Sequence, residues 1–520
     1  MLLLLAVVHV WGISWGLPGM PNSWAPDEFS PLLIREAIQQ KFSGGWQVLY
    51  PPGQIYVLAA ALAPIEVLDG TGVIEFGSRP TYLVAFYVIR LVSVIMAAGT
   101  AIVVFRIGSE LFDARSGVFA ALAIGLSVPF VFYAKLANVE VPYLFWLALS
   151  LLYFVRILAR HERRDYVLFA LTAAFAIGTK DQASPLYLLT PIPIAASQYA
   201  LWKRRGEPAV WWRSLVNANT ATVIAVGAVT LAVIHNLAFN AAGAVERLRI
   251  MTGPITTSLQ EFPNTIAGHL GMLLLGVRHL QFSMGWPFFA AALAGIVLAM
   301  ARRREDGRPL MLLLLIAGYW IFLIVPLMYH YDRYLLPVVL ILSLFAGHAS
   351  AVFTRPGSLA GVRRTLAALA LVFSTLYAAS VDVLLASDGR YEAERWMRNH
   401  IPAGARVMAV GYDLYLPRFD DLEVLLRPEP TVEDLIGART DYLVTTSLFD
   451  EKRLADNPKA VEFFNAVVMG KTPYRPVFTY RGRPPLQLLR LEGVRTNLDK
   501  INPEIRIYQR EGSSESQATR

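Results

Sequence analysis

Long apolar runs separated by short polar loops dominate residues 1–385. About 20 mostly apolar residues are needed to cross the hydrocarbon core of a bilayer. Runs of this kind, some of them short, lie near 1–17, 82–105, 116–134, 141–157, 166–179, 185–201, 215–236, 283–301, 309–328, 335–352 and 365–385, which predicts about eleven membrane helices. The run at 1–17 is read as a retained first span rather than a signal peptide. The first Lys or Arg is Arg35, so a signal peptide's positively charged start is missing. From about residue 386 the pattern changes. YEAERWMRNHI has amphipathic helical spacing, and PAG ends it. ARVMAVGY and TDYLVTTS read as buried strands, and PVFTY, LQLLRLE and EIRIYQR as further strands.

The loops between the runs alternate in charge. RIGSELFDAR (106–115), RILARHERRD (156–165), WKRRGEPAVWWR (202–213), RRREDGR (302–308) and RPGSLAGVRR (355–364) are rich in Arg and Lys. AKLANVE (134–140), GTKDQASP (178–185), the segment 237–282 and YHYDRY (329–334) carry few basic residues for their length. The positive-inside rule puts the first set in the cytoplasm. The second set then faces outward, with residues 18–81 and 386–520. The expected location is the inner (plasma) membrane, as an integral protein with a cytoplasmic N-terminus.

Three pieces result. Residues 1–385 form a transmembrane domain with a long first outer loop (18–81), 386–510 an extracytoplasmic α/β domain, and 511–520 a disordered tail. The first loop is too long for a plain connector. Within it the Pro-Pro pair at 51–52 breaks structure and an apolar helix of about 14 residues follows, read as lying in the interface.

Composition agrees. Charged residues make up only 17% of the 520 residues, where a soluble chain holds roughly a quarter, and the mean hydropathy is +0.46. With no cysteine, disulfides and zinc–thiolate sites are excluded. The net charge of +8 is read as loop charge that sets topology, so no nucleic-acid partner is expected. There is no G-x-x-x-x-G-K-[ST] phosphate loop and no internal repeat.

On this topology Asp27, Glu28, Glu140, Lys180, Asp181, Asp332 and Arg333 share the outer side. Asp27 and Glu28, in NSWAPDEFS, suit a general base that takes a proton from an acceptor hydroxyl. The structural alternative is a helix N-cap at Asp27. Glu140 stands at the mouth of a span, where ionisable residues are costly and functional; the alternatives are a cap for its own helix or a partner for Lys135. In HYDRYLLP, Arg333 suits bidentate phosphate contacts and Tyr334 adds a hydroxyl donor, against an aromatic belt with a snorkelling Arg. Lys180 is a similar cation, unless Asp181 simply pairs with it. Arg247, Arg249 and Arg278 are weaker candidates.

Taken in order, PDEFS after a first span, YPPGQIY, VIRLVSVIMAAGTAIVVFRIGSELFDARSG, AKLANVEVPYLFW and a late RYLLP resemble the GT-C glycosyltransferases, in the branch of protein O-mannosyltransferases and lipid A aminoarabinose transferases. The resemblance covers about residues 20–200 and is thin at RYLLP. It implies an integral membrane glycosyltransferase that moves a sugar, with inversion, from a polyprenyl-phosphate monosaccharide to an acceptor hydroxyl on a glycan, lipid or protein. Asp27 then matches the family's general base, Glu28 its neighbour, and Glu140 the second acidic site. Arg333 and Tyr334 match the contact to the lipid phosphate. Lys180 joins that group, and so does Tyr50, which stands where the aminoarabinose transferases carry a phosphate-contacting Lys. The resemblance implies no cofactor. No required metal is expected, since the long sequon-reading domain of the metal-dependent oligosaccharyltransferases is not evident. The alternatives are a lipid or sugar transporter, and a non-catalytic assembly subunit or sensor.

Overall fold

The computed structural model describes residues 1–511 except 20, 41, 43–49, 239, 253–259, 421, 450–453 and 455. Of the expected tail only Glu511 is described; the rest lies outside these residues. The chain divides into two compact units that interleave along the sequence. One holds Met1–Ile13, Phe29–Ala379 and Leu488–Thr496; the other holds Ser14–Glu28, Ser380–Gln487 and Asn497–Arg520.

The first unit is helical. Among the described residues eight helices are long and apolar enough to cross a membrane, or nine if one bent pair is counted as a span. The expectation of about eleven therefore contracts. The run at 1–17 gives only a nine-residue helix, Leu2–Val10, followed by turns. The run at 116–134 splits into Ala114–Gly125 and Val128–Ala134, bent by 70°, where Pro129 cannot continue the backbone ladder. The runs at 166–179 and 185–201 yield helices of 17 and 15 residues, Arg163–Thr179 and Pro191–Arg205. In the opposite direction, Gly53–Gly70 is 18 residues long, about 27 Å, and passes as a span by length and composition rather than as the shorter interfacial helix expected.

The most enclosed of the eight is Asp332–Phe353. Close packing surrounds it: a Cβ on Gly295 would strike the Phe345 carbonyl, and one on Gly347 would strike the Ser116 carbonyl. The neighbouring helix Ile266–Ala301 is kinked at Gly285 (φ 66°, ψ 161°), two residues before Pro287. The helix Leu336–Phe353 thus provides a rigid post, with Arg333 and Tyr334 in the single turn that precedes it.

The second unit is α/β. Its sheet has the order β2-β1-β3-β5-β4, where β1 is Arg406–Val410, β2 Glu423–Arg427, β3 Tyr442–Thr446, β4 Tyr474–Tyr480 and β5 Ile505–Arg510. β1 runs parallel to β2 and β3, and β5 antiparallel to β3 and β4. Side chains alternate between faces. Val407, Ala409, Val444 and Ile507 meet the helix Gly389–His400 through Ala393 and Met397. Met408, Val410 and Leu443 meet Phe463, Phe464 and Val467 of Pro458–Val468. The expected strand LQLLRLE is not one. From Leu488 onward that segment belongs to the helical unit, and it forms no strand. EVLLR (423–427), not expected as a strand, forms β2.

Candidate functional site

The helix Glu140–Arg160 begins where Asn138 Oδ1 accepts the Glu140 N–H at 3.0 Å, so Asn138, not Glu140, satisfies the helix start. This leaves the Glu140 carboxylate to face the interior. Lys180 lies just past Arg163–Thr179, in extended backbone that turns its side chain back. Its Nζ donates to both Glu140 oxygens, at 2.8 and 2.6 Å. The two residues are 4% and 1% exposed. Arg333 Nε approaches the same carboxylate at 3.7 Å. The Lys180 ammonium stands 5.0 Å from the Tyr143 ring centre and 5.5 Å from that of Tyr334. Arg333 in turn stands 5.9 Å from the Tyr334 ring, and Tyr319 Oη donates to the Tyr334 carbonyl at 2.6 Å. Four of the residues singled out in the sequence, Glu140, Lys180, Arg333 and Tyr334, therefore form one cluster.

Several expected pairings resolve differently. Lys135 donates to the Val8 carbonyl at 2.9 Å. Asp181 meets Arg247 rather than Lys180. Burial lowers the Arg247 guanidinium to about 10, with Tyr50 opposing, so it stays a cation at neutral pH. Arg247 thereby moves from a weak candidate into the neighbourhood of Lys180 and Tyr50. Tyr50 packs edge-on against Phe29. Arg249 pairs with Glu246 at the surface, and Arg278 donates to the Gly493 carbonyl at 3.3 Å.

A buried hydrogen-bond chain fixes the Arg333 turn. Asp332 donates its N–H to the Arg495 carbonyl at 2.9 Å and accepts the Arg333 N–H at 2.7 Å. Arg495 donates its own N–H to His279 Nε2 at 3.0 Å. His279 Nε2 must then be unprotonated, which leaves the proton on Nδ1 to donate to His330 Nδ1, 3.0 Å away. His330 Nε2–H reaches the Met272 carbonyl at 3.2 Å. Every step is consistent with two neutral imidazoles, and burial lowers the His330 pKa in the same sense. Residues 488–496 thus act as a strap across the turn. The sequence disguises them as a strand.

Asp27 and Glu28 belong to the other unit. Asp27 is exposed with φ 59°, a left-handed conformation that Asp tolerates. Glu28 is half-buried and accepts the Ser23 hydroxyl. Asp27 is not an N-cap: the next helix, Pro31–Gln39, is capped by Ser30, whose hydroxyl accepts the Leu33 N–H. Within their unit, residues 14–28 are fastened by Trp15 Nε1 donating to Asp388 at 3.0 Å, by Arg418 donating to the Pro18 carbonyl at 3.0 Å, and by Trp24 under the Arg390 guanidinium at 4.3 Å. Among the described residues no group of three His, Cys, Asp or Glu side chains is placed to hold a metal ion.

Comparison with known proteins gives one match to a family model. Residues 83–235, which contain Glu140 and Lys180, match the model of the dolichyl-phosphate-mannose-protein mannosyltransferases. A sequence comparison with curated proteins gives no match. Among solved structures, the chain is similar to archaeal oligosaccharyltransferase AglB from Archaeoglobus fulgidus, in complex with an inhibitory peptide and a dolichol-phosphate. That pair shares 13% identity and a TM-score of 0.49, over 94% of this chain and 72% of that one. It is also similar to ArnT from Cupriavidus metallidurans bound to undecaprenyl phosphate, with 13% identity and a TM-score of 0.47 over 97% of each chain. A third similarity is to arabinofuranosyltransferase AftD from Mycobacteria, with 16% identity and a TM-score of 0.42 over 98% of this chain and 41% of that one. The family match falls on the segment where the sequence motifs are densest.

Proposed function

We propose that the chain transfers a sugar from a polyprenyl-phosphate monosaccharide to an acceptor hydroxyl on the extracytoplasmic side, with inversion at the anomeric carbon. The observation that supports this reading is the convergence of Lys180 and Arg333 on Glu140 beside Tyr334. A buried ion pair contributes little to stability relative to an apolar pair. Two cations and a phenol at the ends of apolar helices suit a phosphate far better than they suit a core.

In this reading Lys180, Arg333 and Tyr334 take the phosphate of the donor, with Tyr50 at the edge of the same neighbourhood. Glu140 holds the two cations in position. The bond between the anomeric carbon and the phosphate oxygen breaks, and its electron pair leaves with the phosphate, whose growing charge the cations stabilise. The acceptor oxygen attacks from the opposite face and forms the new glycosidic bond. Its proton passes to Asp27, the general base implied by the family resemblance, while Glu28 orients the acceptor or the base. No cofactor or metal enters. Alternation of basic loops supports the assignment of sides.

The test is sugar transfer from a panel of radiolabelled polyprenyl-phosphate monosaccharides into membrane acceptors, comparing wild type with Asp27→Asn. Transfer from one donor that collapses at least a hundredfold in a folded mutant is expected. Equal transfer by both proteins removes Asp27 from the chemistry. Transfer by wild type from none of the donors overturns the donor class.

A further inference from the structure

Three helices of the first unit end around one hollow. Arg79–Leu111 stops at Phe112, Ile266–Ala301 is closed by Arg302, and Leu336–Phe353 runs out at Thr354. Beside these ends lies a cavity of about 150 Å³, whose lining includes Asp113, Arg302, Glu305, Asp306, His348 and Arg355. None of the Lys180 cluster lines it. Its loops are among those that the basic-loop pattern places in the cytoplasm.

The lining carries both signs, and only part of it is committed. Asp306 is held by Arg308, through guanidinium contacts of 3.0, 3.0 and 2.7 Å. Asp113 caps the next helix by accepting the Ser116 N–H, and it reaches Arg355 only at 3.5 Å. Arg302 and Glu305 form no ion pair among the described residues. His348 is 3% exposed and its ring stacks on Phe112 at 4.1 Å, yet its Nδ1 has no hydrogen-bond partner among the described residues. A simple anion meets carboxylates here, and a simple cation meets guanidiniums. A group with a phosphate at one end and an ammonium at the other satisfies both. The negative ends of three helices favour the ammonium further.

A second hollow, of about 540 Å³, is apolar. It lies between Ile266–Ala301, Leu336–Phe353 and Ala360–Ala386, against side chains such as Phe288, Leu298, Phe353 and Leu366. The two hollows adjoin along the helices. Leu298 in the groove stands one turn before Arg302 in the cavity, and Ala349 in the groove follows His348 in the cavity. Close-packed interiors hold few voids larger than a water molecule, so a hollow of this size asks for an occupant. Phe353 and Leu366 stay 42% and 51% exposed, so the groove opens outward along apolar side chains. It has the room and the chemistry for a hydrocarbon chain.

We propose that cavity and groove together hold one membrane phospholipid whose headgroup carries a phosphodiester and a primary ammonium, as phosphatidylethanolamine does. Arg302 and Arg355 donate to the phosphate. The ammonium donates to Glu305 and Asp113, and one chain fills the groove between the three helices. The site is separate from the transfer chemistry and stands whether or not the donor reading does.

The test uses the full-length protein, stripped of lipid in detergent, and three probes: phosphatidylethanolamine, phosphatidylglycerol and chain-free phosphoethanolamine. Native mass spectrometry titrates each. Phosphatidylethanolamine should bind about tenfold more tightly than phosphatidylglycerol and should raise the melting midpoint. Phosphoethanolamine should bind about a hundredfold more weakly, since it buries no chain. Arg302 and Glu305 are exposed, so their variants should fold. Arg302→Gln should weaken both lipids about tenfold, and Glu305→Gln should bring phosphatidylethanolamine down to the level of phosphatidylglycerol. Ala370→Phe, which fills the groove, should weaken both lipids about tenfold while the lipid-free midpoint holds or rises. Equal or tighter binding of phosphatidylglycerol overturns the proposal. So does phosphoethanolamine binding as tight as the lipid's, which would make the cavity a site for a free small zwitterion. Lipid affinities unchanged in all three variants would place the bound lipid elsewhere and overturn it as well.

Discussion

At the scale of single residues the Lys180–Glu140 pair separates stability from chemistry. Both side chains are nearly inaccessible, at 5% and 2%, and removing one partner strands the other. Lys180→Met should therefore destabilise the protein by about 3 kcal/mol or more. Arg333, 3.7 Å away, can only partly compensate. The double change Lys180→Met with Glu140→Gln removes the stranded charge and should recover most of that loss, while sugar transfer stays abolished. Thermal unfolding in detergent, run as a double-mutant cycle beside the transfer assay, checks both halves. A double variant that melts as low as the single one would mean the pair packs rather than pairs. These side chains show how much of the site the sequence carries. Glu140, Lys180, Arg333 and Tyr334 stand out individually, because ionisable and phenolic groups at the ends of apolar runs are conspicuous. Which acid meets which cation is a tertiary outcome, so Asp181 looked like the partner of Lys180 and turned out to face Arg247, 66 positions further along. Tyr143 and Tyr319 sit inside apolar runs, where a polar side chain is easily read as packing.

At the scale of elements, long apolar helices and the strands β1 and β3 were legible, because length and alternation are one-dimensional signals. Breaks were less so. A Pro in an apolar run bends the 116–134 region, and a run of Leu residues at 486–491 imitates a strand though from Leu488 onward it belongs to the helical unit. Close helix contacts depend on glycines that say nothing until the neighbours are known. A Cβ on Gly347 would come within 2.6 Å of the Ala120 nitrogen, whereas one on Gly227 meets nothing within 4 Å. Gly347→Ala should cost about 1–3 kcal/mol through overpacking, and Gly227→Ala should be neutral or slightly stabilising by helix propensity; melting midpoints of the two variants decide it. The end of Glu140–Arg160 carries a pH dependence. His161 closes that helix at φ 56°. Its ring nitrogens contact Tyr166 Oη at 2.7 Å and Ser197 Oγ at 3.0 Å. Burial first, and the charge of Arg205 second, lower its pKa from 6.5 to about 4. Between those values the unfolded chain binds a proton that the folded protein refuses. The contribution is thus complete above about pH 6.5 and is lost as pH falls toward 4. His161→Gln should flatten that acid limb of the melting midpoint while leaving the midpoint above pH 7 little changed. An unaltered limb would place its origin in other groups.

At the scale of the whole molecule, sequence order and spatial order part company, and the consequence reaches the chemistry. The α/β unit is not only the C-terminal part of the chain. Residues 14–28, which carry Asp27 and Glu28, fold with it. The signal for this was present in the sequence as two tryptophans near the first loop and two arginines far downstream, but nothing local joins them. The joint is Asp388. Its carboxylate is fully buried, accepts Trp15 Nε1–H at 3.0 Å and the Asn502 N–H at 3.2 Å, and takes Arg390 Nε and NH2 at 3.0 and 2.6 Å. Arg390 in turn lies 4.3 Å from the Trp24 ring. Asp388→Asn keeps the shape and one acceptor oxygen but leaves a buried guanidinium without its counter-charge, a loss of about 3–5 kcal/mol. The segment held through Trp15 and Trp24 should loosen first. Limited proteolysis should then cut within residues 14–28 under conditions where wild type resists, and transfer should fall although Asp27 itself is intact. Trp24→Leu separates the two effects, since it leaves Asp388 and Arg390 paired and should loosen the segment with a smaller loss of global stability. If the base is on this segment, both variants lose transfer in proportion to the new cleavage rather than to the melting midpoint. Transfer that follows the midpoint instead would assign residues 14–28 to stability alone and would point the search for the base back to the helical unit.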